Sequence, residues 1–72
     1  MTDGLPVVSG RQTIRAPQRL GFDQISQRGS HVKLRNEGRT VIVPRHDELA
    51  RETLRSILRQ ANMTVEQFRD AL

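Results

Sequence analysis

The sequence has no cysteine, no tryptophan and no tyrosine among its 72 residues. Without cysteine the chain has neither a disulfide framework nor a thiolate metal site, so its stability has to come from packing. No apolar run approaches the roughly 18 residues that cross a bilayer, and the amino terminus lacks the basic-then-apolar pattern of a secretion signal. We therefore expect one cytoplasmic domain, residues 1–72, with a thin core and no membrane partner.

Aromatic side chains are scarce, since the two phenylalanines Phe22 and Phe68 are all there are. The chain thus lacks the stacking platform with which many proteins bind splayed single-stranded bases. Its net charge is +4, and eleven of its twelve basic residues are arginine. Guanidinium groups bind phosphate bidentately, so the composition favours a polyanionic partner contacted through backbone and shape. The alternative is a soluble arginine-rich surface with no such partner.

The amino-terminal part of the sequence predicts one helix. Residues 1–8 hold a glycine, a proline and no helical or strand period, which indicates a flexible lead-in. Ser9 can cap a helix that runs to Leu20 and ends at Gly21. Pro17 costs roughly 3 kcal/mol inside a helix, so we expect a kink there or a helix shortened to one side of it. The candidate apolar contacts of this helix are Ile14, Ala16 and Leu20.

Three short strands follow. They are predicted over residues 22–27, 31–35 and 40–43, with turns at 28–30 and 36–39. With the second turn centred at 37–38, Leu34 pairs with Val41. Val32 then pairs with Val43, which brings the apolar side chains of both strands to one side. The other side is a basic face with a histidine at its edge, formed by His31, Lys33, Arg35, Thr40 and Ile42.

Two further helices complete the predicted fold. From Arg51 the apolar period becomes helical, with Leu54, Ile57, Leu58 and Ala61 on the face toward the strands. Arg51, Arg55 and Arg59 recur every four residues, a row that we interpret as a solvated face. Thr64 and Gln67 form a capping box for a last helix. The residues that this helix is expected to bury are Val65, Phe68 and Leu72.

The predicted element order is α-β-β-β-α with a short extra C-terminal helix. This is an α+β fold in which helices cover one face of a three-stranded antiparallel sheet. The helix, the three strands and the following helix have the order of a double-stranded-RNA-binding domain, although topology alone does not establish function.

His31 is the candidate for proton transfer, either as a base or as an acid. Imidazole titrates near neutral pH and suits either proton transfer, which is typically worth about 10² to 10⁴-fold. Lys33 and Arg35 share its face and Arg28 can join from the turn, so these cations are placed to hold a phosphate. From the residues alone, a passive phosphate contact or a plain surface histidine is the commoner role.

Several short strings carry a resemblance to a known family: 20–22 (LGF), 27–31 (QRGSH), 43–44 (VP) with His46, 53–58 (TLRSIL) and 60–61 (QA). Together they resemble HicA, the toxin of a bacterial toxin–antitoxin pair, over about residues 12–72. The resemblance implies a double-stranded-RNA-binding-domain-like fold, cleavage of mRNA by the histidine of the Gly-Ser-His motif, and inhibition by a HicB-type antitoxin protein. Pro17 departs from the family, which usually has a leucine or similar residue in that part of the helix.

Carried over by position, the resemblance makes His31 the catalytic residue. The RNA that the resemblance implies as substrate carries its own nucleophile, the 2′-hydroxyl, so cleavage needs a base, an acid and positive charge on the phosphate. The residues then expected to bind RNA are Arg28, Gly29, Ser30, Lys33 and Arg35. We expect His46 to order the connection before the long helix, and Asp47 and Glu48 to suit the positive end of that helix. Neither a metal nor a small-molecule cofactor is expected, because the two histidines are not at a metal-binding spacing and the adjacent acids make a poor cation cage.

Two other functions stay open. One is a non-catalytic module that binds double-stranded RNA through the same basic face, with binding that survives loss of His31. The other is a protein-interaction partner whose arginines serve an acidic antitoxin. An antitoxin on the basic face would also silence an enzyme by covering it.

Overall fold

A computed structural model describes residues 4–72 and has the predicted architecture. In chain order the elements are α1 (Gly10–Arg19), β1 (Asp23–Arg28), β2 (His31–Asn36), β3 (Arg39–Pro44), α2 (Arg51–Ala61) and α3 (Val65–Asp70). The strands form one antiparallel sheet in the order β1-β2-β3. The α+β prediction and its element order are therefore confirmed. None of the helices that the described residues form has the length and apolar character needed to cross a membrane.

Helix α1 begins as predicted and continues through its proline. The Ser9 hydroxyl accepts a hydrogen bond from the backbone N–H of Gln12 at 3.1 Å, and the Gln12 side chain accepts one from the Ser9 N–H at 2.9 Å. The prediction of a helix shortened to one side of Pro17 is wrong, because α1 extends to Arg19. The Pro17 ring is fully buried, and its carbonyl accepts hydrogen bonds from two following N–H groups. Burial of the ring and these two hydrogen bonds offset the backbone hydrogen bond that a proline cannot donate within the helix.

The hairpin register agrees with the prediction. Leu34 pairs with Val41, and Val32 pairs with Val43. All four side chains are at most 1% exposed and form the middle of the core. The two-residue turn between β2 and β3 has positive φ at both positions, 49° at Glu37 and 80° at Gly38, which matches the twist of the strands it joins.

Helices α1 and α2 pack against the apolar face of the sheet, and α3 packs against α1. The predicted apolar stripe of α2 is buried, and the α3 capping box is present, with the Thr64 hydroxyl accepting from the Gln67 N–H at 3.0 Å. Phe68 is 0% exposed, but Leu72 is 44% exposed, so its predicted burial is wrong. Ala71, which follows the last residue of α3, is buried instead.

The segment before α1 contributes to the core, which the sequence did not indicate. Residues 1–3 of the predicted lead-in lie outside the described residues. In the rest of it, Leu5 and Val8 are buried, and the Val8 carbonyl accepts a hydrogen bond from the Leu49 N–H at 2.9 Å. Leu20, in contrast, was expected to pack against the core and is 45% exposed, because it follows the last turn of α1.

Candidate nucleic-acid interface

The face of the sheet opposite the helices is open, and we call it the outer face. Along β2 the exposed residues alternate with buried ones, so His31, Lys33 and Arg35 all project onto it. Directly opposite residues of antiparallel strands share a face. The neighbours across the two ladders are Arg28, Ser26 and Asp23 on β1 and Pro44, Ile42 and Thr40 on β3.

One open depression of the outer face contains the histidine. Its lining residues are Ser26, Arg28, His31, Lys33 and Ile42. The structure thus brings together three of the residues predicted for the site, His31, Arg28 and Lys33. Arg35 lies two residues beyond Lys33 along β2, outside this depression. None of the lining residues is acidic, so the depression presents two cations beside the imidazole with no carboxylate to neutralise them.

The turn before His31 is held by two hydrogen bonds. The Ser30 carbonyl accepts from the backbone N–H of Arg45 at 2.7 Å, and the Gly29 carbonyl accepts from the Gln27 side chain at 3.0 Å. Gly29 has a φ of +59°, while a Cβ built on it meets nothing within 4 Å. Backbone conformation, and not space, therefore favours glycine here. These contacts fix the backbone from which the His31 side chain projects.

The presence of Ser26 in this site was not predictable from the sequence. Ser26 reaches the depression because the ladder between β1 and β2 shifts by one residue between Gln24 and Ser26. The bulge leaves Ile25 without a partner in the register and 48% exposed. Because of the bulge, strict alternation counted from Asp23 assigns the residues after Ile25 to the wrong face of the sheet.

His46 lies in a different depression from His31. The residues around it are Ser9, Arg11, Gln27, Arg45 and Asp47. Its carbonyl accepts a hydrogen bond from the Gly10 N–H at 2.8 Å, which ties the connection to the start of α1. Because this bond uses the backbone, the ordering role expected of the His46 side chain stays a prediction. The acid in the first turn of α2 is Glu52, and Asp47 and Glu48 precede that turn.

Within residues 4–72, histidine and acidic side chains nowhere gather into a group of three or more that could hold a metal ion.

Each side chain of the outer-face depression other than that of Ile42 is polar or charged, and all five residues are exposed. Solvent therefore screens the charges of Arg28 and Lys33, and their attraction for a ligand becomes strong mainly when the bound ligand displaces that solvent.

Comparison with known proteins supplies a family. The family model described as HicA toxin of bacterial toxin-antitoxin matches residues 10–63. The match extends from the start of α1 past the end of α2, so it includes the whole sheet and the outer face. No curated protein matches the chain.

Proposed function

Because the chain belongs to the HicA family of toxins from bacterial toxin–antitoxin pairs, we propose that it is a metal-independent endoribonuclease that cleaves mRNA in the cytoplasm. His31 is its catalytic residue. The observation that carries the proposal is the surroundings of His31, which shares an open depression with Arg28 and Lys33 and with no acidic residue. We propose a single domain, because Leu5 before α1 and Phe68 in α3 are buried in the same core.

The chemistry uses the nucleophile that RNA carries. The 2′-oxygen forms a bond to phosphorus while the bond from phosphorus to the 5′-oxygen breaks, which leaves a 2′,3′-cyclic phosphate and a 5′-hydroxyl. His31 acts as the general base that takes the 2′-hydroxyl proton or as the acid that protonates the leaving 5′-oxygen, and water exchanges the other proton at this exposed site. No bond to the enzyme forms in this step.

The cations around His31 bind the substrate and stabilise its charge. Arg28 lies directly opposite His31, and Lys33 lies two residues further along β2, about 7 Å away on the same face. Both are placed to contact the phosphate that reacts, where negative charge develops on the non-bridging oxygens. Arg35 continues this row and is proposed to hold a neighbouring phosphate. Gly29 and Ser30 act through the turn that presents His31 and through their backbone groups.

A toxin of such a pair has an antitoxin as its partner. We propose that this antitoxin is of the HicB type and that it silences the enzyme by covering the outer face. Ile42 on β3 lies opposite Lys33, is 36% exposed, and adds an apolar contact for a protein partner. Covering this face would exclude RNA from His31.

The test is incubation of a structured mRNA with the purified chain and with its His31→Ala variant in the presence of EDTA. We expect fragments with 5′-hydroxyl ends from the unmodified chain alone, while both proteins bind the RNA. Cleavage that stops on chelation would contradict metal independence. If both proteins are folded by circular dichroism and bind RNA but neither cleaves it, the chain is the non-catalytic binding module.

A further inference from the structure

A second group of guanidinium side chains lies away from the outer face, where α1 runs beside β1. We call this depression the α1–β1 groove. The polar residues that line it are three arginines and three glutamines: Arg11, Arg15, Arg45, Gln18, Gln24 and Gln27. No acidic residue lines it. Apart from Ile14, its lining therefore consists of cations and amides, the groups that contact phosphates and sugars in nucleic-acid complexes. Arg11, Gln27 and Arg45 also line the neighbouring depression that contains Asp47.

The groove is built from regular elements. Arg11, Arg15 and Gln18 follow one another at i, i+4 and i+7, so they form one stripe along α1 with a rise of about 6 Å between the two arginines. On β1, Gln24 and Gln27 pair with Leu34 and Val32, whose side chains are buried on the helix side of the sheet. The two glutamines thus project on the side of the sheet where α1 lies.

The arginines at one end of the groove start from a fixed backbone. A Cβ on Gly10 would lie 2.0 Å from the Pro44 carbonyl oxygen and 2.7 Å from the Arg45 Cα, so the start of α1 is in direct contact with the end of β3. The Gly10 N–H also donates to the His46 carbonyl at 2.8 Å. Arg11 and Arg45 therefore project from a tight junction between two backbone segments.

This junction adjoins the turn that presents His31. The Arg45 N–H donates to the Ser30 carbonyl at 2.7 Å. On β1, Gln27 lines the groove while the next residue, Arg28, lines the outer-face depression. A chain of phosphates that passes over this edge of the sheet would meet Arg28 and then the cations of the groove.

We propose that the α1–β1 groove is a second binding site for the RNA backbone, which holds the strand that continues from the outer face over the β1–β2 turn. The inference takes RNA as the ligand from the proposed function, but it does not depend on cleavage. Arg11, Arg15 and Arg45 contact phosphates, and the glutamine amides donate to phosphate or sugar oxygens. Binding here is independent of base sequence because the groove offers charge and amides to the backbone.

The test measures how the affinity for RNA depends on salt. A fluorescein-labelled, fully 2′-O-methylated RNA hairpin with a single-stranded tail is the probe, because it has no 2′-hydroxyl and cannot be cleaved by the proposed chemistry. Its dissociation constant is measured by anisotropy across a salt series. The groove variant carries R11Q, R15Q and R45Q. The control variant carries R19Q, R59Q and R69Q, which lowers the net charge equally at exposed arginines outside the groove.

Each lost phosphate contact lowers the slope of log affinity against log salt by about 0.7 for a single strand. We expect the groove variant to lose about 2 from the magnitude of this slope and the control to lose well under half of that. Equal losses in both variants, or an unchanged slope in the groove variant, would overturn the proposal. An unchanged slope in the groove variant, together with weaker binding of the antitoxin by that variant, would assign the groove to the protein partner.

Circular dichroism checks that both variants are folded. Should the triple groove variant not fold, Arg15→Gln alone decides the matter, with an expected slope loss of about 0.7 against none for Arg59→Gln. Failure of the proposed function is a separate result, because a chain that does not cleave unmodified RNA leaves this comparison of slopes unchanged.

Discussion

The junction between α1 and the end of β3 predicts that Gly10→Ala destabilises the protein. A Cβ at this position would lie 2.0 Å from the Pro44 carbonyl oxygen, where ordinary contact begins at 3.4 Å, and 2.9 Å from the Pro44 carbonyl carbon. Both neighbours are backbone atoms that belong to a paired strand. The start of α1 and the end of β3 must therefore move apart by more than about 1 Å.

The size of the effect follows from three terms. Overpacking of this kind costs about 1–3 kcal/mol, and the hydrogen bond from the Gly10 N–H to the His46 carbonyl, worth about 1 kcal/mol, is weakened or lost. The better helix propensity of alanine returns at most about 1 kcal/mol. We therefore expect a net loss of about 2 kcal/mol, which lowers the Tm of a domain of this size by roughly 8–16 °C.

Thermal unfolding followed by circular dichroism measures this loss. Arg19→Ala, at an exposed position of the same helix, is the control and should change the Tm by at most about 4 °C. A Gly10→Ala protein as stable as the unmodified chain, or more stable, would refute the close contact between α1 and β3.

Three further predictions test the core, the hairpin and the site. Phe68→Ala removes a side chain that is 0% exposed and should cost about 3–5 kcal/mol in urea unfolding; a loss below about 1 kcal/mol would mean that α3 does not belong to the core. Glu37→Asn should raise stability by about 0.5–1 kcal/mol, because φ at this position is 49° and asparagine tolerates such values; an unchanged urea midpoint would argue against the turn geometry. Lys33→Gln should slow RNA cleavage by about 10-fold, less than for a buried oxyanion donor because solvent screens Lys33, with little change in Tm; unchanged cleavage would remove Lys33 from the site.

The elements that the sequence predicted best have strong local signals. The register of β2 and β3 follows from period-two alternation and a glycine-containing turn, so the pairing of Leu34 with Val41 is determined by neighbouring residues. The caps of α1 and α3 follow from a serine or threonine with glutamine three residues later. The buried stripe of α2 follows from its helical period.

The elements that the sequence did not predict depend on tertiary contacts. Leu5 and Val8 are two apolar residues without a period, and their burial follows from where the chain passes over the core. Pro17 is tolerated in α1 because its ring is buried, which no local rule states. At the candidate site, the place of Ser26 depends on a bulge in β1, and the α1–β1 groove depends on how a helix lies beside an edge strand.

The measurement that tests the central claim most directly is the single-turnover rate of RNA cleavage by the unmodified chain, by His31→Ala and by His46→Ala, with binding measured in parallel. If His31 performs a proton transfer, its loss slows cleavage by about 10² to 10⁴-fold while the affinity for RNA changes little. His46→Ala keeps a rate close to that of the unmodified chain, since His46 lies in a different depression. Equal rates for His31→Ala and the unmodified chain would contradict the assignment of His31 as the catalytic residue.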